Sequence, residues 1–255
     1  MDEPVRVGIG GWVFPPWRET FYPGTVRRGG ELAYASRALR VLEINVTYHA
    51  GQTPETFARW AADTPDGFLF TVKASRACTN RRVLADAGEA IERFVGQGLD
   101  RLGARLGPIL WQFMPTKTFD PEDFAAFLDL LPASLDGRPL RHCLEVRHAS
   151  FADPRFVGLC RDRDVAICLT DHADFPLIDE ATASFGYARL MRGEDDVPTG
   201  YPPADLDRWA RRLRALSTAG GAAPPRPVFA FFINGGKARA PAAAMALTDR
   251  LGALS

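Results

Sequence analysis

The stretch Val41-Leu42-Glu43-Ile44-Asn45 decides the fold, because its side chains sort into two chemically different faces. Successive side chains of a strand point to opposite sides, so Leu42 and Ile44 share one face and Val41, Glu43 and Asn45 share the other. The apolar pair suits contact with a layer of helices. Glu43 and Asn45 are therefore predicted to point into the interior of a closed parallel sheet.

Seven further runs of this kind lie along the chain, each rich in Val, Ile, Leu and Phe and flanked by Gly, Pro or Asp. This composition is typical of buried parallel strands. The eight predicted strands cover residues 5–9, 41–45, 67–73, 108–113, 142–147, 165–170, 185–190 and 228–234.

Segments with helical spacing separate the predicted strands. Thr53, Asp120 and Asp153 each precede a proline, and a cap residue followed by proline is typical of a helix start. Residues 171–184 have only weak helical spacing, so the helix after the sixth strand is expected to be short or missing. The predicted helices cover residues 30–39, 54–63, 86–106, 121–131, 154–164, 205–216 and 241–251.

Eight alternations of strand and helix predict a single (β/α)8 barrel, the TIM-barrel fold, over residues 1–255. No change of composition and no long linker divides the chain. An open, doubly wound sheet is the alternative. The first strand is not followed by the G-x-G-x-x-G pattern of a dinucleotide-binding turn, which argues against that alternative.

Composition and charge narrow the class of protein. Lys and Arg together number 31, as do Asp and Glu, so the chain lacks the basic surplus of a dedicated nucleic-acid binder. The four cysteines form no C-x-x-C pair, which argues against disulfides and a zinc site. The first residues lack the basic and apolar regions of a signal peptide. No apolar stretch approaches the roughly 18 residues of a membrane-spanning helix. A cytoplasmic location without membrane association is therefore expected, and the oligomeric state is not predicted.

Lysine is rare in this chain. Three of the 31 basic residues are lysines (Lys73, Lys117 and Lys237), which leaves 28 arginines. Lys73 ends the third predicted strand, in phase with Leu69 and Thr71. In a chain with so few lysines, a lysine at a strand end is less expected to be a surface residue without a specific role.

Polar residues gather at the carboxyl ends of the predicted strands, where barrel enzymes have their active sites. Glu43, Lys73 and Glu145 are predicted as catalytic residues. The alternative is a mutually satisfied polar layer, with Glu43–Lys73 and Glu145–Arg147 pairs, that only stabilises the barrel. The sixth strand is predicted to place Asp171 in interior phase with Ile167 and Leu169. The predicted substrate-binding residues are Trp12, Asn45, Tyr48, Gln112, Arg147, His148, Asp171, Arg189 and Asn234.

Two glycine-containing loops follow strands of the predicted barrel. Gly10-Gly11-Trp12 permits a close approach of backbone to ligand, with Trp12 as a stacking wall. Asn234-Gly235-Gly236-Lys237 precedes the last helix, and barrels often hold phosphate in the loops after strands seven and eight. Arg189 and Arg192 would add positive charge there, so an anionic substrate is expected. Ordinary tight turns are the alternative for both loops.

Several motifs together carry a family resemblance. They are Gly8-Ile9-Gly10-Gly11-Trp12, Phe21-Tyr22-Pro23, Glu43-Ile44-Asn45 with Thr47-Tyr48, Pro54-Glu55-Thr56 with Trp60, residues 70–73 with Ala74, Leu106-Gly107-Pro108 with Gln112, Glu145-Val146-Arg147-His148 and Tyr187-Ala188-Arg189-Leu190. With them the chain resembles the DUF72 family, also called YecE-like proteins. The resemblance implies a TIM barrel over nearly the whole chain but no reaction, because the family has no established one. Met191 stands where that family commonly has His, and Ile233 precedes Asn234 where two asparagines are usual.

An enzyme acting on a small polar or anionic, sugar- or phosphate-like substrate is the first of three functions that the sequence leaves open. Glu43 and Glu145 would be an acid/base pair, and Lys73 would orient the substrate or neutralise developing charge. Glycoside hydrolysis by the two carboxylates is one version, and a Schiff base on Lys73 is another. The activity would be that of a hydrolase, lyase or isomerase, and no cofactor is predicted.

A metal-dependent hydrolase of phosphoesters or nucleic acid is the second function. No H-x-H or H-E-x-x-H spacing supports it, and Arg147 and Lys73 would compete with a divalent cation. A non-catalytic metabolite-binding protein is the third, because Met191 cannot transfer protons. The available metal ligands are Glu43, Glu145, His148, Asp171 and His172.

Overall fold

Nine parallel strands follow one another around a nearly closed barrel in this computed structural model. The structure describes residues 4–253 apart from the side chain of Asn234. The strands are β1 (Val5–Gly10), β2 (Val41–Ile44), β3 (Leu69–Lys73), β4 (Leu106–Gln112), β5 (His142–Glu145), β6 (Ala166–Ile167), β7 (Leu169–Asp171), β8 (Gly186–Arg192) and β9 (Val228–Gly235).

Helices connect the strands on the outside of the barrel. Thr53 accepts a hydrogen bond from the N–H of Thr56, and Asp120 and Asp153 cap their helices in the same way, so the three predicted caps are confirmed. Within residues 4–253 the α-helices are α1 (Trp17–Thr20), α2 (Glu31–Ala38), α3 (Pro54–Ala62), α4 (Arg76–Thr79), α5 (Gly88–Val95), α6 (Pro121–Asp129), α7 (Pro154–Arg161), α8 (Pro203–Thr218) and α9 (Ala240–Ala253).

Strand pairing closes the barrel at the predicted sixth strand. This strand is split into β6 and β7 at Cys168, whose N–H donates to the carbonyl oxygen of Leu144 at 2.9 Å. β6 pairs with β5 and β7 pairs with β8, so the two halves join the two edges of the sheet. The predicted (β/α)8 TIM barrel is confirmed, with its sixth strand in two pieces.

Two apolar layers lie on the two sides of the barrel wall. Val41 and Phe231 belong to the interior layer, and Leu42 and Ile44 belong to the layer between strands and helices. The phase predicted for the second strand is therefore confirmed. Since side chains alternate, Glu43 enters the barrel interior.

The phase predicted for the sixth strand is wrong. Cys168 belongs to the interior layer, whereas Ile167 and Leu169 belong to the outer one. Asp171 consequently takes the outer phase, where its Oδ2 accepts a 2.8 Å hydrogen bond from the hydroxyl of Tyr201. Both faces of this strand are apolar, so the sequence lacks the contrast that reveals which face is inside.

The long helix predicted over residues 86–106 is also wrong. The chain forms a 3-10 turn at Ala85–Ala87, then α5, then a second 3-10 segment at Leu99–Arg105. Gly98 interrupts the helix with a φ of 115°, in the region that favours glycine. A Cβ at Gly98 would lie 2.6 Å from the Cα of Pro54, so the break occurs where the backbone passes the start of α3.

The segment after the sixth strand, residues 172–185, contains no helix, as its weak spacing predicted. Its Phe175 ring stacks on the His172 ring with 3.8 Å between ring centres. None of the helices within residues 4–253 combines the length and apolar content that crossing a membrane requires.

Candidate functional site

A buried network of charged side chains crosses the barrel interior at the carboxyl ends of the strands. Arg189 of β8 donates from Nη2 to Oε1 of Glu43 on β2 at 2.9 Å, and from Nη1 to Oε2 of Glu145 on β5. Both carboxylates have 0% of their surface exposed, and Arg189 has 3%. These three strands are not neighbours in the sheet, so the guanidinium ties together separate parts of the barrel wall.

Further donors occupy the remaining carboxylate oxygens. Oε2 of Glu43 accepts a 2.7 Å hydrogen bond from the hydroxyl of Tyr187. Oε1 of Glu145 accepts from Nε2 of Gln112 at 2.9 Å and from Nε of Arg147 at 2.7 Å. Every oxygen of the two carboxylates therefore has a donor, which offsets the cost of burying the charges.

The network holds Glu145 in its ionised form. Burial alone would raise the pKa of this carboxyl, but the charges of Arg189 and Arg147 and the hydrogen bond from Gln112 outweigh burial and lower the pKa to about 2. Burial also opposes the charge on Arg189, and the carboxylates of Glu145 and Glu43 outweigh it, so the pKa of Arg189 is raised. Glu145 thus lacks the proton that a general acid must supply near neutral pH.

Arg189 also fills the space between the two carboxylates. A glycosidase keeps that space open, because the scissile bond of the sugar lies between its two carboxyl groups. Here the guanidinium contacts Glu43 and Glu145 at once. The geometry therefore gives the glycosidase version no support.

Lys73 lies beside this network without joining it. Among the described residues, no carboxylate oxygen lies within 4.0 Å of its Nζ, which is instead 4.0 Å from the centre of the Tyr48 ring. Burial, followed by the charge of Arg189, lowers the pKa of Lys73 to about 8, although Glu43 and Glu145 act in the opposite direction. At pH 7 roughly a tenth of this side chain is the uncharged amine, which is a base and a nucleophile.

Lys73 borders a cavity of about 230 Å³ at the carboxyl ends of the strands. Three of the described residues that line it are cations: Lys73, Arg189 and Lys237. None of the described lining residues is Asp or Glu. An anionic ligand therefore matches the lining. The residues that line the cavity are Gly10, Trp17, Asn45, His49, Lys73, Arg189, Phe232, Ile233, Lys237 and Ala240.

Two buried polar atoms of these lining residues have no hydrogen-bond partner within the described part of the chain. They are Oδ1 of Asn45 and Nε of Arg189. Such atoms cost about 1–3 kcal/mol unless water or a ligand satisfies them. Gly10 permits the close approach of Asn45 and Ile233 to the backbone of β1, because a Cβ there would lie 2.7 Å from Nδ2 of Asn45 and 2.9 Å from Cγ2 of Ile233.

Two predicted substrate-binding residues have structural partners instead. Trp12 packs edge-on against Trp60, with 5.1 Å between ring centres, and lines a separate depression. Nδ1 of His148 accepts from the N–H of Ser150 at 3.2 Å and caps the short helix Ala149–Phe151. Neither side chain is among those that line the cavity.

Two other predicted residues, Asp171 and Arg147, lie outside the cavity lining. Asp171 is held by Tyr201 in the outer layer, as described above. Arg147 joins the buried network and also places its guanidinium carbon 4.8 Å from the centre of the Phe175 ring. The side chain of Asn234 lies outside the described residues. Of the two structural ion pairs considered from sequence, Glu145–Arg147 forms, whereas Lys73 has Tyr48 rather than Glu43 as its neighbour.

The site includes three residues outside the predicted catalytic and substrate-binding sets. Tyr187 shares the interior phase of Arg189 on β8, so strand alternation already contained this signal. Lys237 lies in the glycine loop predicted for anion binding, with its Nζ 4.5 Å from the centre of the Phe14 ring. His49 lines the cavity, but a single histidine in a loop has no pattern that would have identified it.

A comparison with known protein families identifies the family of this barrel. The model of the family described as "Protein of unknown function DUF72" matches residues 6–255. The chain belongs to the DUF72 family. The resemblance seen in the motifs is thereby confirmed.

Known proteins similar to this DUF72 protein include UPF0759 protein YecE of Escherichia coli K12, which is 28% identical over 151 residues. That match covers 58% of this chain and 50% of YecE, so it spans about half of the relative's length. A DUF72 family structure from Thermotoga maritima is 20% identical, with a TM-score of 0.75 over 98% of this chain and 99% of that one. Another, from Enterococcus faecalis, is 16% identical, with a TM-score of 0.76 over 97% and 95% of the two chains. At these identities the structural likeness shows the fold alone.

Met191 occupies a position at which the family resemblance of the motifs implies a histidine. The side chain lies in the interior apolar layer with Ile233 and is 5% exposed. A thioether neither carries a proton nor binds a hard metal ion well. Any role of the histidine in relatives is therefore not available to this chain at that position.

The five metal ligands considered from sequence do not come together in this DUF72 protein. Glu43 and Glu145 are bound to Arg189, while His172 stacks on Phe175. Across residues 4–253, no three His, Cys, Asp or Glu side chains are grouped as ligands of a metal ion. The geometry gives the metal-dependent hydrolase no support.

Proposed function

We propose that this DUF72 protein is an enzyme that acts on a small anionic, sugar- or phosphate-like substrate, with the amine of Lys73 as its reacting group. The position of Lys73 carries the proposal. The residue lines the cavity, its Nζ lies over the Tyr48 ring, and no carboxylate oxygen lies within 4.0 Å of that nitrogen among the described residues. An amine in such surroundings acts as a base or a nucleophile because its uncharged form is populated near neutral pH.

The lining of the cavity supports an anionic substrate. Lys73, Arg189 and Lys237 supply positive charge, and no described acidic residue of the lining opposes it. The unpartnered Oδ1 of Asn45 requires a hydrogen-bond donor, such as a hydroxyl group. A small molecule with both a hydroxyl group and an anionic group meets these requirements.

The buried network supports this role of Lys73 indirectly. Arg189 pairs with both Glu43 and Glu145, so neither carboxylate remains as a counter-ion for Lys73. In this proposal the two glutamates hold the arginine in place rather than exchanging protons with the substrate. Their complete burial agrees with that part, because neither is among the residues that line the cavity.

A non-catalytic metabolite-binding protein is the second candidate, and Met191 favours it. The family resemblance implies a histidine at this position inside the barrel, and the thioether of Met191 carries no proton. Both candidates require a small anion in the same cavity. Turnover of a bound compound separates them, because a binding protein releases its ligand unchanged.

Competitive labelling of lysine tests the proposal, because the chain has only Lys73, Lys117 and Lys237. Trace acetic anhydride is applied from pH 6 to pH 11, and mass spectrometry reports the acetylated fraction of each lysine. We expect the acetylation of Lys73 to reach half of its maximal extent near pH 8. Phosphoglycolate or inorganic phosphate should protect Lys73 from acetylation. Lys117, whose Nζ is 2.7 Å from Oδ2 of Asp123, is the internal control that the anions should not protect.

Two results would contradict the proposal. One is an acetylation profile of Lys73 with its midpoint near 10.5, the ordinary pKa of lysine. The other is labelling of Lys73 that none of the anions slows at any pH, since an anion in the cavity has to cover the amine.

A further inference from the structure

We infer that Lys73 forms an imine with the carbonyl group of a small anionic aldehyde or keto acid. This inference rests on the proposed function of the same cavity and specifies its substrate class. It follows from the surroundings of the amine, the choice of lysine at this position and the distribution of charge along the cavity wall.

The amine of Lys73 is free to react because the nearby anions are already paired. An ammonium ion bound to a carboxylate keeps its proton and has no lone pair for attack. Both carboxylates of the interior bind Arg189 instead, with 2.9 Å between Nη2 of Arg189 and Oε1 of Glu43. Among the described residues, the close neighbour of the amine is the Tyr48 ring, which neither accepts its proton nor covers the cavity side.

A lysine at this position has a chemical meaning of its own. Three of the 31 basic residues are lysines, and a site that needed only positive charge would accept arginine. The guanidinium of arginine stays protonated in proteins, whereas a lysine loses its proton when it is buried near other cations. Arg189 and Arg147 are those cations here.

The other cations of the cavity specify the rest of the substrate. Lys73 ends β3, while Lys237 follows β9, so the two lysines belong to different parts of the cavity wall. A carboxylate or phosphate bound to Lys237 leaves a carbonyl group at the other end of the molecule for Lys73. The cavity of about 230 Å³ is below the roughly 300 Å³ at which pockets for drug-sized ligands begin, so the substrate is small.

The reaction is balanced without an oxidant or a cofactor. The lone pair of Nζ forms a bond to the carbonyl carbon, and the π pair of C=O moves to oxygen, which takes up a proton while the nitrogen releases one of its two. The carbinolamine then loses the proton on nitrogen and releases its hydroxyl, with one added proton, as water. Amine and carbonyl thus give imine and water, and no other reactant is consumed.

Reductive trapping tests the inference on the full chain. The protein is incubated at pH 8 with glyoxylate, pyruvate or glyceraldehyde 3-phosphate and sodium borohydride, and the modified peptides are mapped by mass spectrometry. We expect a covalent adduct on Lys73 at least about tenfold above that on Lys117, because burial and the charge of Arg189 lower the pKa of Lys73 to about 8 and the cavity binds the anionic probe beside it. Lys73→Arg should abolish the adduct, and Lys117→Arg should leave it unchanged.

The outcomes separate this inference from the proposal on which it rests. Protection of Lys73 from acetylation by anions, without an adduct from any of the three carbonyl probes, overturns the imine and leaves the anion-binding enzyme standing. An adduct divided equally among the three lysines also overturns it. Failure of both protection and trapping removes the proposed function as well. Uncharged acetone serves as the matched probe and should label Lys73 far less than pyruvate, because it lacks a group for Lys237.

Discussion

Nη2 of Arg189 donates a 2.9 Å hydrogen bond to Oε1 of Glu43, although 146 positions separate the two residues along the chain. The same guanidinium binds Glu145, so one cation neutralises two buried carboxylates. This sharing keeps both carboxylates away from Lys73. The stability of the barrel interior and the reactivity of the candidate site therefore depend on the same side chain.

Replacing Arg189 by methionine should destabilise the protein by about 3–5 kcal/mol, because it leaves two buried carboxylates without their counter-ion. Urea unfolding at pH 7 measures the change. Arg208→Met is the matched control, since Arg208 pairs with Asp205 on the surface and should matter by less than about 1 kcal/mol. Equal losses in the two variants would show that the buried network does not stabilise the barrel.

Glu145 should make the free energy of unfolding depend on pH in the acidic range. Its pKa in the folded protein is about 2, below its ordinary value of 4.5, so the unfolded chain takes up the proton first as the pH falls. Its contribution, on the order of 3 kcal/mol, is complete above pH 4.5 and is lost as the pH falls from 4.5 to 2. The difference in unfolding free energy between the wild type and Glu145→Gln should therefore shrink across this window.

Denaturant unfolding at pH 5, 4 and 3 measures this trend. Glu89→Gln is the control, because the Glu89 side chain is 83% exposed in its pair with Arg93 and should show no comparable trend. A gap between wild type and Glu145→Gln that stays constant from pH 5 to pH 3 would contradict the ionised state assigned to Glu145.

Tyr48 should control the titration of Lys73. Tyr48→Ala exposes the amine to water, which raises its pKa from about 8 toward the ordinary 10.5. Loss of the cation–π contact acts in the opposite direction, but that contact contributes only about 0.5–1 kcal/mol where water has access. Tyr48→Phe keeps the ring and should leave the pKa near 8. The pH profile of Lys73 acetylation is measured in the wild type and in both variants. A Tyr48→Ala profile identical to that of the wild type would show that the ring does not shield the amine.

Gly10→Ala should close the ligand space. The new methyl group would lie 2.7 Å from Nδ2 of Asn45 and 2.9 Å from Cγ2 of Ile233, so it forces these side chains to move and costs about 1–3 kcal/mol of stability. Protection of Lys73 by phosphoglycolate should disappear. Gly24→Ala is the control, because a methyl group there meets no atom within 4 Å. Full protection in a folded Gly10→Ala protein would place the anion elsewhere.

Strand phase could be read from the sequence wherever the two faces of a strand differ chemically. In β2 the polar Glu43 alternates with the apolar Leu42 and Ile44, and the structure places them inside and outside as predicted. The sixth strand has apolar residues on both faces, so the prediction for Asp171 failed. The helix predicted through Gly98 failed for another reason, because the nearby obstacle, Pro54, is distant along the chain.

The sequence by itself determined that this chain forms a (β/α)8 barrel and that strands with chemically different faces, such as β2, send polar side chains into its interior. Those features follow from hydrophobic periodicity and helix capping, which act over a few residues. Only the tertiary structure decided that Glu43 pairs with Arg189 and Tyr187, and that Lys73 has an aromatic ring rather than a carboxylate beside it. The physical reason is that charges on different strands meet according to how the closed barrel sets strand order and register, and no local pattern encodes that geometry.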